Sequence, residues 1–130
     1  MCGSGNSSKY NSEAIKLGEE KNMQSQPVNY KKFYDDLYKF NVLEFKFTGG
    51  EPLLIKKHYE VMSKQSRDTI IRIITNGTVN PKKLITTLEG FKKVIINVSA
   101  EGPKDVTNYI RHGSDFDIVL KHYDMMQDVW

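Results

Sequence analysis

What most constrains this chain is an alternation of three short apolar stretches, each ended by a polar turn with small residues and followed by a stretch of helical period. The stretch at 42–48 places Leu43, Phe45 and Phe47 on one face of a strand and Glu44, Lys46 and Thr48 on the other. A second stretch, at 69–75, lies between Arg67-Asp68 and Asn76-Gly77. The third, at 93–99, holds the run Val94-Ile95-Ile96, which suits a strand covered on both sides. Strand followed by helix three times over predicts an α/β fold of repeated parallel βα units. Such units form an open sheet or close a barrel, and both gather ligands at the carboxyl ends of their strands.

The helical stretches carry their own signals. Tyr30, Phe33, Tyr34, Leu37 and Tyr38 recur at helical spacing, so a helix near 29–40 should lay one face on a sheet. Pro52 suits a first helical turn, and Ile55, His58, Tyr59 and Met62 predict the buried face of a helix near 52–65. A bare Asn76-Gly77 would suit a hairpin. Asn80-Pro81, however, reads as a cap and first helical residue, and Leu84, Ile85 and Leu88 continue the period until Gly90. A short helix near 104–110 carries Val106, Tyr109 and Ile110. Ser114 with Asp117 predicts a capping box for a last helix bearing Phe116, Val119, Leu120 and Tyr123.

With 130 residues, 38% of them hydrophobic, the chain can bury one ordinary core, and a single unit spanning 1–130 is expected. Its 19 basic and 16 acidic residues include lysine pairs spread along the sequence, which read as solvated faces; a nucleic-acid surface would want one stripe. No apolar run approaches the roughly 20 residues of a membrane span, and no basic-then-apolar leader is present. A soluble, cytoplasmic protein is therefore expected, with no nucleic-acid or membrane partner. Residues 1–29 are polar and rich in glycine, serine and asparagine, a loop with at most one short helix near 12–17. The sole cysteine, Cys2, excludes an internal disulfide.

The polar residues gather at the three strand ends: Thr48-Gly49-Gly50-Glu51-Pro52, Thr75-Asn76-Gly77 and Ser99-Ala100-Glu101. Two glycines permit backbone angles and close approaches that a Cβ forbids. Glu51 is expected exposed at the mouth, where a carboxylate beside glycine carbonyls and free N–H groups can bind an ammonium group. Ser99 and Glu101 can bind a ribose or a carboxylate through their oxygens. Lys46, Asn97 and Ser99 on one face suggest a wet, ligand-holding lumen, or else an edge strand with one solvated face; the face of Arg72 is open. A Gly-Gly turn into a helix is also a common structural device. His58, in an apolar stripe, is expected in the core, and His58, His112 and His122 are too loosely spaced to propose a metal site.

Phe47-Thr48-Gly49-Gly50-Glu51-Pro52-Leu53-Leu54 resembles the Gly-Gly-Glu-Pro motif of radical S-adenosylmethionine (SAM) enzymes. It is followed in order by Ile74-Thr75-Asn76-Gly77, by Val98-Ser99-Ala100-Glu101-Gly102-Pro103, and by Arg111 with the 113–117 segment. The resemblance covers roughly residues 42–120. It implies a fragment of a partial (β/α)6 TIM-like barrel, with a 4Fe-4S cluster on three cysteines spaced CxxxCxxC and SAM on the fourth iron. Reductive cleavage of SAM would then give a 5'-deoxyadenosyl radical that abstracts hydrogen from a small-molecule or peptide substrate, fed by an electron donor. By resemblance, Thr48, Gly49, Gly50, Glu51, Pro52 and Asn76 form the cofactor site, with Glu51 on the SAM amino group. Ser99, with Glu101 and Arg111, would contact ribose and carboxylate, and Lys46 and Asn97 would face substrate.

The sequence departs from that pattern at the cluster. Cys2 lies about where the third cluster cysteine belongs, with Met1 where an aromatic or apolar residue usually precedes it. The expectation is a chain beginning at an internal methionine, with the first strand and two cysteines upstream and further barrel strands beyond Trp130. Cys2 would be its one metal ligand. One cysteine cannot hold a 4Fe-4S cluster, so the chain alone is expected to lack radical chemistry and to expose a strand edge. An incidental cysteine, a cloning remnant and a lipidated amino terminus are the other readings of Cys2. The alternative function is a cluster-free α/β module binding a nucleotide or amino acid; a non-functional remnant would instead aggregate or stay partly unfolded.

Overall fold

A computed structural model describes residues 15–18, 30–111 and 113–129. The chain divides after Leu37 into two units, taken separately. In the first, helix α1 spans Tyr30–Leu37, inside the range that the spacing predicts. Within it Phe33 and Tyr34 meet edge to face, with ring centroids 5.4 Å apart. Of the residues before α1, a turn at 15–18 is described, in which the Gly18 N–H donates to the Ile15 carbonyl.

The second unit holds three βα repeats. In chain order they are β1 (Glu44–Phe47), a 3-10 turn (Pro52–Leu54), α2 (Lys56–Ser63), β2 (Ile70–Thr75), α3 (Lys82–Leu88), β3 (Val94–Val98), α4 (Lys104–Ile110) and α5 (Phe116–Gln127). The strands form a parallel sheet in the order β1-β2-β3. The register pairs Lys46 with Arg72 and Ile74 with Asn97, which fixes the two faces. Phe47, Ile71, Ile73 and Thr75 lie buried on one face. Tyr59, Val61 and Met62 of α2, Leu84 and Leu88 of α3, and Val119 and Met126 of α5 complete the core. At about 1.5–3 kcal/mol for each large apolar side chain fully buried, this cluster supplies the main drive to fold.

The other face carries Glu44, Lys46, Arg72, Ile74, Ile95 and Asn97, none of them buried. Arg72, whose face the sequence leaves open, lies here. Its Nε donates to Glu44 Oε1 at 2.6 Å. The guanidinium holds the Glu44 carboxyl below the usual range, and the same hydrogen bond raises Arg72.

Several local expectations are corrected. The helix predicted over 52–65 is broken: Pro52–Leu54 is a 3-10 turn, Ile55 is extended, and α2 begins at Lys56. Leu54 and Ile55 are consequently exposed. His58 is half-buried, its ring 5.1 Å from that of Phe47 and its Nδ1 2.9 Å from the Pro52 carbonyl oxygen. Leu43 precedes β1 and is exposed, although its carbonyl accepts from the Ile70 N–H. Because β3 is the end strand of the described sheet, the run Val94-Ile95-Ile96 is half-buried rather than covered on both sides.

The caps also divide. Asn80 Oδ1 accepts from the Lys82 N–H, but the capping position of α3 falls on Pro81, which is predicted as the first helical residue; Leu84 and Leu88 are fully buried. The cap of α5 is Asp115 instead of Ser114, with Asp115 Oδ1 accepting from the Asp117 N–H at 3.0 Å. On α4 the buried residue is Thr107, whose hydroxyl donates back to the Gly102 carbonyl, while Val106, Tyr109 and Ile110 face out. On α5 the inward stripe is Val119, His122 and Met126; Leu120 and Tyr123 are exposed. No helix among the described residues is long and apolar enough to cross a membrane.

Candidate functional site

The site grows out of the turn after β1. Gly49 has a φ of +123°, which L side chains rarely adopt, and a Cβ built there meets no atom within 4 Å. The glycine is needed for its backbone angle, while the space beside it stays open. The turn delivers Glu51 in extended conformation at the start of the 3-10 turn. Its carboxylate is not left free at the mouth. Oε1 accepts from the Leu53 N–H at 3.0 Å and from the Thr75 hydroxyl at 2.8 Å, and Oε2 accepts from the Asn76 N–H at 2.8 Å. Glu51 thus joins the ends of β1 and β2. A carboxylate has about four lone-pair positions. Among the described residues both on Oε1 are taken, and one on Oε2 is open.

Beneath Glu51 the second strand end is tied internally. The Gly77 N–H donates to Thr75 Oγ1 at 3.1 Å, so the single proton of that hydroxyl is the one given to Glu51. Asn76 contributes its backbone N–H rather than its amide. Its Oδ1 accepts from the Thr78 N–H at 2.9 Å and the Thr78 hydroxyl at 2.7 Å. Burial pushes the Tyr59 phenol up, and the negative charge of Glu51 adds to it. That hydroxyl donates to the Leu53 carbonyl.

The third strand end joins through the ladder, where the Ser99 N–H donates to the Thr75 carbonyl at 2.9 Å. Beyond it, Glu101 and Arg111 form a bidentate pair, with Arg111 Nε on Oε2 and a second guanidinium nitrogen on Oε1, both at 2.5 Å. The pair lowers the Glu101 carboxyl and raises Arg111.

The structure therefore bonds Glu51 to Asn76, Thr75 and Leu53, with Gly49, Gly50 and Pro52 beside Glu51 along the chain, links Ser99 to that group through Thr75, and pairs Glu101 with Arg111. Thr48 is exposed at the end of β1. Lys46 and Asn97 lie on the open face of the sheet, in the rows of Arg72 and Ile74. Cys2 lies outside the described residues. The sequence names Thr75 as part of the second strand end and His122 only as a histidine too loosely spaced for a metal, and gives neither a role at the site. A threonine ending an otherwise isoleucine-rich strand was the available signal for the first; the Val119 to His122 spacing, one turn of a helix, was the signal for the second.

No group of three or more His, Cys, Asp or Glu among the described residues could hold a metal ion. A cavity of about 170 Å³ lies elsewhere, between β3 and α5, lined by Val94, Ile96, Tyr123, Met126 and Gln127. Its lining carries no charge, so the strand ends, with their oriented carboxylate, are the better match to a charged ligand. No family model matches the chain, and no curated protein or solved structure does either.

Proposed function

We propose that the three strand ends form the SAM-binding part of a radical SAM core, with the parallel sheet as a piece of a partial (β/α)6 barrel. The observation that carries this reading is the Glu51 carboxylate, fixed by three neutral donors with one lone pair of Oε2 open, beside glycines whose missing side chains leave room. That remaining acceptor position, on a negatively charged carboxylate, fits an α-amino group. Ser99 supplies a hydroxyl one ladder bond away, and the Glu101–Arg111 pair offers a guanidinium and a carboxylate for ribose or carboxylate oxygens. Lys46 and Asn97, on the open face, would meet a small-molecule or peptide substrate, with an electron donor as the second partner, in the cytoplasm.

Beside a 4Fe-4S cluster, bound SAM supplies hydrogen-abstracting radical chemistry. The cluster itself does not fit this chain's residues, because the sequence contains one cysteine and such a site takes several thiolates. What this chain does in the reading is bind and orient SAM: Glu51 holds the ammonium group, the 49–50 backbone admits the ligand, and Ser99 bonds its oxygens.

The test is an NMR titration of the whole chain with SAM, with methionine and with ATP. SAM should move the amides of Gly49, Gly50 and Ser99, and methionine a subset of them. If SAM leaves all three unmoved while the sheet is intact, the reading fails. The single cysteine also favours a second reading, a cluster-free module for a nucleotide or amino acid. Tight, iron-independent binding with no preference for SAM over ATP or methionine selects that one.

A further inference from the structure

His122 lies on α5, a helix that contributes no residue to the strand-end turns, and it is 7% exposed. Its Nδ1 stands 2.8 Å from the carbonyl oxygen of Gly77. A carbonyl only accepts, so this contact places the proton on Nδ1. One turn earlier, Val119 presses on the same residue. A Cβ on Gly77, whose φ is +75°, would stand 2.8 Å from Val119 Cγ1 and 3.0 Å from Val98 Cγ1. Helix α5 therefore grips one peptide unit both by its oxygen and across its Cα.

From the N–H of the same residue the bonds run in one direction to Glu51. The Gly77 N–H donates to Thr75 Oγ1, Thr75 donates to Glu51 Oε1, and Asn76 between them donates its N–H to Glu51 Oε2. We propose that His122 is a positioning residue for the ligand site. By holding the Gly77 carbonyl it fixes the 75–77 turn, and through that turn the rotation of the Glu51 carboxylate. The site then extends to a helix that none of the strand-end motifs includes. The ligand consequence rests on the SAM reading; the positioning itself does not.

The direct test needs no variant. Long-range ¹H–¹⁵N NMR of the whole chain should show His122 protonated at Nδ1; an imidazole protonated only at Nε2 overturns the proposal. A paired test compares His122→Asn, whose side-chain amide can donate from the same place, with His122→Leu, which cannot. His122→Leu should speed hydrogen exchange of the Asn76 amide about tenfold, the size expected for one neutral hydrogen bond, with Ile71 and Ile73 unchanged. His122→Asn should restore it. Acceleration spread evenly over β2 with no rescue by asparagine makes His122 a packing residue only and defeats the proposal. Where the leucine variant does not fold, the tautomer decides. In the ligand arm, His122→Leu should weaken the Gly49 and Gly50 response to SAM. A wild-type chain that shows no SAM response sinks the functional reading and leaves the exchange result to stand or fall alone.

Discussion

The two faces of the sheet are made by the same three strands yet do opposite work. One is filled by Phe47, Ile71, Ile73 and Thr75 under helices; the other sets Glu44, Lys46, Arg72 and Asn97 among Ile74 and Ile95 and is nowhere buried. Stability should reside on the covered face. On the proposed reading, ligand chemistry belongs to the open face and to the strand ends. Thr75 stands where the two regimes meet: it is 1% exposed, yet its hydroxyl serves the Glu51 carboxylate.

The comparison is broken most directly by alanine. Ile73→Ala, at a fully buried position, should lose about 2–5 kcal/mol in denaturant unfolding. Ile95→Ala, half-buried on the other face, should lose well under half of that; equal losses would mean that the open face is covered in solution. Gly77→Ala should come next. It combines a left-handed backbone angle with a Cβ against Val119, for about 1–3 kcal/mol, and its NMR shifts should spread into α5.

Thr75→Val keeps the shape and removes the hydroxyl, which leaves Glu51 short of a donor and the Gly77 N–H short of an acceptor. A loss of about 1–3 kcal/mol is expected, together with altered Leu53 and Asn76 amide shifts, since the carboxylate that joins them is freed. An unchanged Asn76 shift would show that Glu51 is held without Thr75. The smallest effect is on the open face. The Glu44 carboxyl is lowered by Arg72, so its folded value lies under its unfolded one. The stabilisation is complete above the ordinary carboxylate range and lost as pH falls through the folded value. Glu44→Gln should flatten that acid limb slightly, since the pair is exposed. A large effect at neutral pH would contradict the open-face assignment.

Period made the three strands legible, and strand alternating with helix three times over made their parallel arrangement so, before any contact is known. The start of α3 was legible for the same local reason, one residue early, with the cap on Pro81 and Asn80 bonding the Lys82 N–H. The broken helix after Pro52 was not, because its cause is tertiary: Glu51 turns its carboxylate back to the Leu53 N–H and across to β2. The cap at Asp115 and the inward Thr107 were hidden too, since both depend on which neighbouring oxygen or N–H the loop presents. At the site, the residues with motif spacing were visible, while the Thr75 bond to the Glu51 carboxylate and the His122 bond to the Gly77 carbonyl are contacts that spacing does not encode.

The single proton of the Thr75 hydroxyl has one further consequence. With that proton and the Leu53 N–H both directed at Oε1, Glu51 cannot offer one free lone pair on each oxygen. A guanidinium, which binds a carboxylate as a two-pronged fork, therefore finds only one prong's partner here, whereas an ammonium group needs no more than one. On the proposed SAM-binding reading, the turn after β2 would favour an amine over an arginine-like group at Glu51.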